Sequence, residues 1–271
     1  MNPILTIITV NFNTSDFVSN QLNCLRLLTK SPYRVLIADN NSTHTDLTKL
    51  NNIIKNHPEA KLLHHRPTTS GSIAHGEALN FLISHVSTPY FSLLDSDAVW
   101  LKKNWDELLI NQLTDKIKII GTQADGPTKP QDFPAVYGFL TKTAIFKKLN
   151  IDMRPNNNRA TQDTGWEIRE KFLISDYQGK VLTMKNTRVF KDGQFASLVG
   201  IGEYYNNLGE LFASHFGRGS SLGAAKYYKS WKVFLYRLPK IGPYLLKRKG
   251  EKEKRRWFAI CHQIVNNQLS K

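Results

Sequence analysis

Two acids separated by one residue close an apolar run at Ser92-Leu93-Leu94-Asp95-Ser96-Asp97, which follows Pro89-Tyr90-Phe91 and precedes Ala98-Val99-Trp100. A short apolar run that stops abruptly at Asp-x-Asp reads as a buried strand with carboxylates at its carboxyl end. Period-two alternation puts Asp95 and Asp97 on one face and turns Ser96 away. Neighbouring ionised carboxylates repel each other unless a cation lies between them. Mg²⁺ and Mn²⁺ suit such a pair, because they take oxygen ligands and keep positions open for phosphate oxygens. The competing reading is a solvated turn, in which Asp and Ser are common.

The elements before this pair alternate. Leu5 to Val10 is a β-branched run short enough for a central strand, broken by Asn11-Phe12-Asn13-Thr14. Ser15 can cap a helix that carries Phe17, Val18, Leu22, Leu25 and Leu28 on one side. Tyr33 to Ala38 reads as a strand ending in Asp39-Asn40-Asn41-Ser42, followed by a helix to about Lys55 and a strand from Lys61 to His64. Strands alternating with helices imply a parallel sheet with right-handed crossovers. Ligands of such sheets bind beyond the carboxyl ends of the strands. The polar breaks after Val10, Ala38 and Leu94 are therefore expected to converge on one crevice.

Thr69-Ser70-Gly71-Ser72 starts a helix with Ile73, Ala74, Leu79, Leu82 and Ile83. The free N–H groups of that start suit a phosphate, although a lone Gly/Ser turn is weak evidence and an ordinary helix cap is the favoured reading. His75 sits early in this helix, as a crevice candidate or a helix-surface histidine. Trp105 to Leu113 reads as helix, Ile117 to Gly121 as strand, Gly126 to Pro134 as loop, and Phe139 to Leu149 as strand running into helix. Met153 to Thr161 reads as a mobile loop over the crevice. Gln162-Asp163-Thr164-Gly165-Trp166-Glu167 opens a helix through Phe172, where Asp163 fits an N-cap. Val181 to Val189 reads as strand. His215 then lies among aromatics in Leu211-Phe212-Ala213-Ser214-His215-Phe216-Gly217-Arg218-Gly219-Ser220, where a satisfied core histidine is the plain expectation.

Composition narrows the function classes. The 271 residues, 41% hydrophobic and 11% aromatic, suffice for one sizeable core with an appendage. Cys24 and Cys261 form no ligand spacing, and two cysteines suggest a reducing compartment without a disulfide framework. No basic n-region with a long apolar h-region opens the chain, so no signal peptide is expected. No window approaches the roughly 20 apolar residues of a membrane helix. The net charge is +15, and Lys226 to Lys271 carries 13 Lys/Arg against Glu251 and Glu253, so the basic character belongs to the tail. There, Trp231, Phe234, Leu235 and Leu238 share a helical spacing that recurs in Trp257, Ile260, Cys261 and Ile264, beyond Pro239 and Pro243. Basic residues on the other faces make this an amphipathic helical tail suited to an anionic membrane surface, with packing onto the body as the alternative.

Taken in order, three motifs resemble family 2 glycosyltransferases of the GT-A fold: Ile8-Thr9-Val10-Asn11-Phe12-Asn13, Ile37-Ala38-Asp39-Asn40-Asn41-Ser42-Thr43 and Leu94-Asp95-Ser96-Asp97. The similarity spans roughly Leu5 to Ser220. It implies an α/β fold with a Rossmann-like, mostly parallel sheet flanked by helices, a catalytic domain over 1–221 and a basic helical extension over 222–271. It also implies a sugar donor linked to UDP, GDP or dTDP, a glycan or lipid-linked acceptor hydroxyl, and a divalent Mn²⁺ or Mg²⁺. By that resemblance Thr9, Val10, Phe12, Asp39, Asn40, Ser96 and Arg218 hold the donor. Asp95, Asp97 and His215 hold the metal, and Trp166 stacks on the acceptor sugar. The family's usual Glu-Asp pair is absent, so the general base of an inverting transfer falls to Asp163 first and Glu167 second. The cysteine usage suggests a cytoplasmic location, and the basic tail a peripheral one at the inner face of a membrane. The alternatives are a retaining transferase, a non-catalytic sugar-nucleotide binder and a nucleic-acid binder. No nucleic-acid motif is present, so no such partner is expected.

Overall fold

The computed structural model describes residues 2–126, 128–156, 163–222, 236, 238–239 and 241–270. Strands β1 (Leu5–Asn11), β2 (Tyr33–Asn40) and β3 (Ala60–His65) alternate with helices α1 (Ser15–Leu28) and α2 (His44–Ile54). Helix α3 (Gly71–Ser84) leads into β4 (Tyr90–Leu94), and β5 (Ala98–Trp100), α4 (Trp105–Ile110) and β6 (Ile117–Thr122) follow. Then come β7 (Gly138–Lys142), α5 (Thr143–Lys148), α6 (Glu167–Ile174) and β8 (Gln178–Asn186). β9 (Gly202–Tyr205), β10 (Leu211–His215) and α7 (Ile241–Leu269) complete the fold.

The ten strands form one sheet in the order β3-β2-β1-β4-β7-β6-β8-β9-β10-β5. β3, β2, β1 and β4 pair in parallel, as do β6 and β8, while β7, β9 and β5 run against their neighbours. The sheet is thus mostly parallel in strand direction, as the alternation of strands and helices implies. β1 is buried along its whole length, as a central strand should be. Leu5 and Ile7 join the core on one side of the sheet, and Ile8 and Val10 join the core on the other.

β5 escapes the sequence pattern because three residues are too few to show alternation. It sets the site, however, because β10 pairs with it in the register His215↔Ala98, Ser214↔Val99 and Ala213↔Trp100. That register carries His215 to the residue following Asp97.

The described C-terminal residues pack on the body. Trp257 and Cys261 are fully buried in the same core as Phe17 and Phe216, and Trp257 Nε1 donates to Ser214 Oγ at 3.0 Å. Lys254 pairs with Asp16 of α1 at 2.9 Å. The stripe Trp257, Ile260, Cys261 and Ile264, which the sequence reading offered to a membrane, is therefore covered by the protein's own core. Trp231, Phe234 and Leu235 lie outside the described residues. So does much of the expected loop over the crevice, although Met153 is buried and packs beside α3. Among the described residues no helix is long and apolar enough to cross a membrane.

Candidate active site

A crevice of about 680 Å³ opens beyond the carboxyl ends of β1, β2 and β4. Its walls include Val10, Phe12, Asn40, the start of α3 from Ser70 to Ser72, His75, Asp95 to Asp97, Tyr137, Asp163, His215 and Gly217 to Ser220. The separate polar breaks do converge, as β-α-β topology requires.

The paired acids leave the strand at Leu94 and sit in a turn closed by Ala98 N–H donating to Asp95 C=O at 2.9 Å. A turn rather than strand alternation presents them, and it is not solvated, since Asp97 is 7% exposed. Gln21 of α1, fully buried, braces it by donating from Nε2 to the carbonyls of Asp95 (2.8 Å) and Ala98 (2.9 Å).

Asp97 Oδ2 accepts from the backbone N–H groups of Arg218 (2.9 Å) and Gly219 (2.8 Å). The chain reaches Asp97 so closely only because Gly217 has φ +73° and Gly219 has no side chain. Asp97 Oδ1 faces His215 Nε2 at 3.2 Å, and Asp95 Oδ2 lies 3.8 Å from the same nitrogen. Burial pushes the Asp97 carboxyl up, but His215 and the two N–H groups outweigh it and hold the carboxyl below its usual range. Burial likewise pushes the His215 imidazole down, and the charges of Asp97 and Asp95 more than reverse it.

Asp95, Asp97 and His215 bring ligand atoms within 4.8 Å of one another. Asp95 Oδ1 is a buried acceptor without a hydrogen bond among the described residues, with His75 Nε2 3.6 Å away. Two carboxylates and an imidazole, with acceptor capacity to spare, fit a divalent cation.

The other expected site residues divide. Val10, Phe12, Asn40 and Ser96 line the crevice, and Phe12 is 48% exposed, so its ring is free of the core. Thr9 is fully buried beneath, away from the crevice, because alternation turns it from Val10. Asp39 is buried too, accepting from Asn11 Nδ2 (2.9 Å) and Ser42 N–H (3.2 Å), so it ties the ends of β1 and β2 together. Arg218 reaches the crevice only in part. Its guanidinium donates to Glu253 of α7 at 2.7 Å and lies 4.2 Å over the Phe216 ring, with the side chain 2% exposed.

Asp163 lines the crevice, with Oδ2 3.2 Å from Lys129 Nζ. It is not an N-cap, since α6 begins only at Glu167. Glu167 turns elsewhere: its carboxylate accepts from Asp152 N–H (2.9 Å) and pairs with Lys171 (2.7 Å). Trp166 is bound by Nε1 to the Arg154 carbonyl at 3.1 Å and is not part of the crevice wall. Sequence reasoning passed over Gln21, Lys129 and Tyr137. An amide, a lysine and an aromatic carry no motif until their distant partners are placed.

The chain is thus an α/β protein of the class whose ligands bind beyond the carboxyl ends of the strands, with an acid pair and a histidine standing there. The description "Glycosyl transferase family 2" matches residues 6–176, and the chain belongs to that family. Among solved structures it is similar to the mannosyltransferase PcManGT from Pyrobaculum calidifontis, in complex with GDP-Man and Mn²⁺. That match has 14% identity and a TM-score of 0.52, over 67% of this chain and 55% of that one. It is also similar to S. aureus TarS 1-349, at 16% identity and a TM-score of 0.49, over 67% of this chain and 58% of that one. The chain thus spans little more than half the length of these structures. Among curated proteins none matches the sequence.

Proposed function

We propose that the protein transfers a sugar, with inversion, from a nucleoside-diphosphate donor to a hydroxyl of a glycan or lipid-linked acceptor. The observation that carries this reading is the convergence of Asp95, Asp97 and His215 at the crevice beyond the strand ends. The mannosyltransferase of similar fold is bound to ligands of the same classes, GDP-Man and Mn²⁺.

In this reading Val10 and the exposed Phe12 ring flank the base, with Asn40 and Ser96 on the polar side of the nucleoside. Asp95, Asp97 and His215 would hold a divalent Mn²⁺ or Mg²⁺, which would supply charge neutralisation for the departing diphosphate. The backbone of Arg218 and Gly219 fixes Asp97 Oδ2 and leaves Oδ1 facing the triad. Asp163 takes the acceptor's proton as the acceptor oxygen bonds to the anomeric carbon. The bond from that carbon to the phosphate oxygen breaks, and the nucleoside diphosphate leaves. Asp163 is preferred to Glu167 because Glu167 is committed to Lys171 and Asp152.

The exposed cations Lys247, Arg248, Lys252, Arg255 and Arg256 lie opposite the buried stripe of α7, and we assign them to an anionic membrane surface that presents the acceptor at the cytoplasmic face. Salt-sensitive sedimentation with anionic but not neutral vesicles is the expected result, and equal sedimentation with both would refute it.

A thermal-shift screen of UDP, GDP and dTDP and their sugars, with and without Mn²⁺, tests the central reading. One nucleotide series should raise the melting temperature in a Mn²⁺-dependent way, since binding to the folded state stabilises by mass action. No shift with any series would contradict it.

A further inference from the structure

Tyr137 stands immediately before β7 and touches each working part of the crevice. Its carbonyl accepts from Asp95 N–H at 3.0 Å. Its ring stacks on the His215 imidazole, with centroids 4.6 Å apart and planes 26° from parallel. Its hydroxyl lies 3.4 Å from Lys129 Nζ, and that ammonium reaches Asp163 Oδ2 at 3.2 Å.

A histidine that holds a metal usually has its second ring nitrogen anchored by a hydrogen bond, which fixes the ring's orientation. Among the described residues Nδ1 of His215 has no such partner, while Nε2 faces Asp97. The flat face of Tyr137 lies against the imidazole, so stacking can limit rotation of the ring about its Nε2 contact with Asp97.

We propose that Tyr137 is a positioning residue joining the cation triad to the acceptor-side acid: its ring sets the plane of His215, and its hydroxyl, through Lys129, sets Asp163. The assignment rests on the proposed transfer reaction and adds a role that no motif in the sequence marks. The two arms of the residue separate by substitution. Phe keeps the ring and removes the hydroxyl, whereas Leu removes both.

The test measures Mn²⁺ affinity of the full chain by the electron paramagnetic resonance signal of the free ion, alongside transfer kinetics. Tyr137→Phe should bind Mn²⁺ within about twofold of the parent with donor KM unchanged and kcat reduced, while Tyr137→Leu should bind Mn²⁺ about tenfold more weakly. Lys129→Met should reproduce the Phe variant, with intact Mn²⁺ affinity and lowered kcat. Tyr137→His retains a flat ring and should restore most of the affinity lost in the Leu variant. If His loses as much as Leu, or if folded Leu binds as the parent does, stacking is not the cause and the inference fails. Unchanged kcat in both Tyr137→Phe and Lys129→Met removes the arm to Asp163. A parent chain that binds no Mn²⁺ refutes the reading of the triad itself, a result distinct from equal binding by parent and Leu variant.

Discussion

Gly219 shows how little freedom the site allows. A Cβ at that position would lie 2.8 Å from Asp97 Cβ and 3.1 Å from its Cγ. Gly219→Ala must displace either Asp97 or the N–H that holds it, so Mn²⁺ affinity should fall about tenfold while the fold persists. Titration with Mn²⁺ checks this, and unchanged affinity would mean that the backbone grip on Asp97 is dispensable. Asp163→Asn should keep nucleotide binding and lose transfer, whereas Glu167→Gln should keep turnover and lose about 1 kcal/mol of stability through its weakened pairing. Denaturation and turnover measured on both variants separate the two acids. The placing of Asp95 and Asp97 at a strand end was legible in the sequence because an apolar run stops there, whereas His215 by itself reads as a core histidine and joins them only through the family resemblance. Arg218 was not legible: a charge beside a glycine-rich run looks free, and only the placement of Glu253 shows where its guanidinium goes. Tyr137 was illegible for the same reason, since its partner His215 arrives from β10.

The C-terminal helix α7 acts on the site through contacts rather than through the sequence that lines it. Glu253 binds the guanidinium of Arg218, the residue whose N–H holds Asp97. Glu253→Ala removes one member of a largely buried ion pair and should cost about 3 kcal/mol in denaturant unfolding, with weakened Mn²⁺ binding beside it. Full stability in that variant would show that α7 does not brace the loop. Helix α3 meets the segment after α5 in a comparably tight fit, since a Cβ at Gly76 would lie 2.6 Å from Arg154 Cα. In that segment the Arg154 guanidinium holds the Asp152 carboxyl down from 3.8 to about 2. A depressed carboxyl stabilises the fold above its unfolded value and loses that contribution as pH falls through the folded one. The melting-temperature gap between the parent and Asp152→Asn should therefore hold steady above about pH 5 and close toward pH 2. The gap will be small, because Asp152 is 35% exposed and solvent screens the pair. The long elements were legible because apolar period and polar breaks mark them. β5 was too short to mark itself, and α7 had two possible partners, membrane or body, that spacing alone does not distinguish.

At the scale of the molecule, the sheet has a parallel part, β3-β2-β1-β4, that brings Val10, Phe12, Asn40 and the acid pair to the crevice, and a mixed part that returns His215 to those acids. Most of the net charge of +15 lies in the last 46 residues, and in α7 Lys247, Arg248, Lys252, Arg255 and Arg256 are exposed while Lys254 is buried against the body. Fold class was readable from the order of strands and helices. The closing of the site was not, because it depends on a strand register set between residues far apart in the chain. The proposed reaction requires that the acids after β4 serve a cation and a nucleotide sugar together. The most direct measurement is release of free nucleoside diphosphate from the preferred nucleotide sugar by parent and Asp97→Ala protein, each with Mn²⁺. The parent should release it, and the folded variant should release almost none. Equal release by the two would contradict the account.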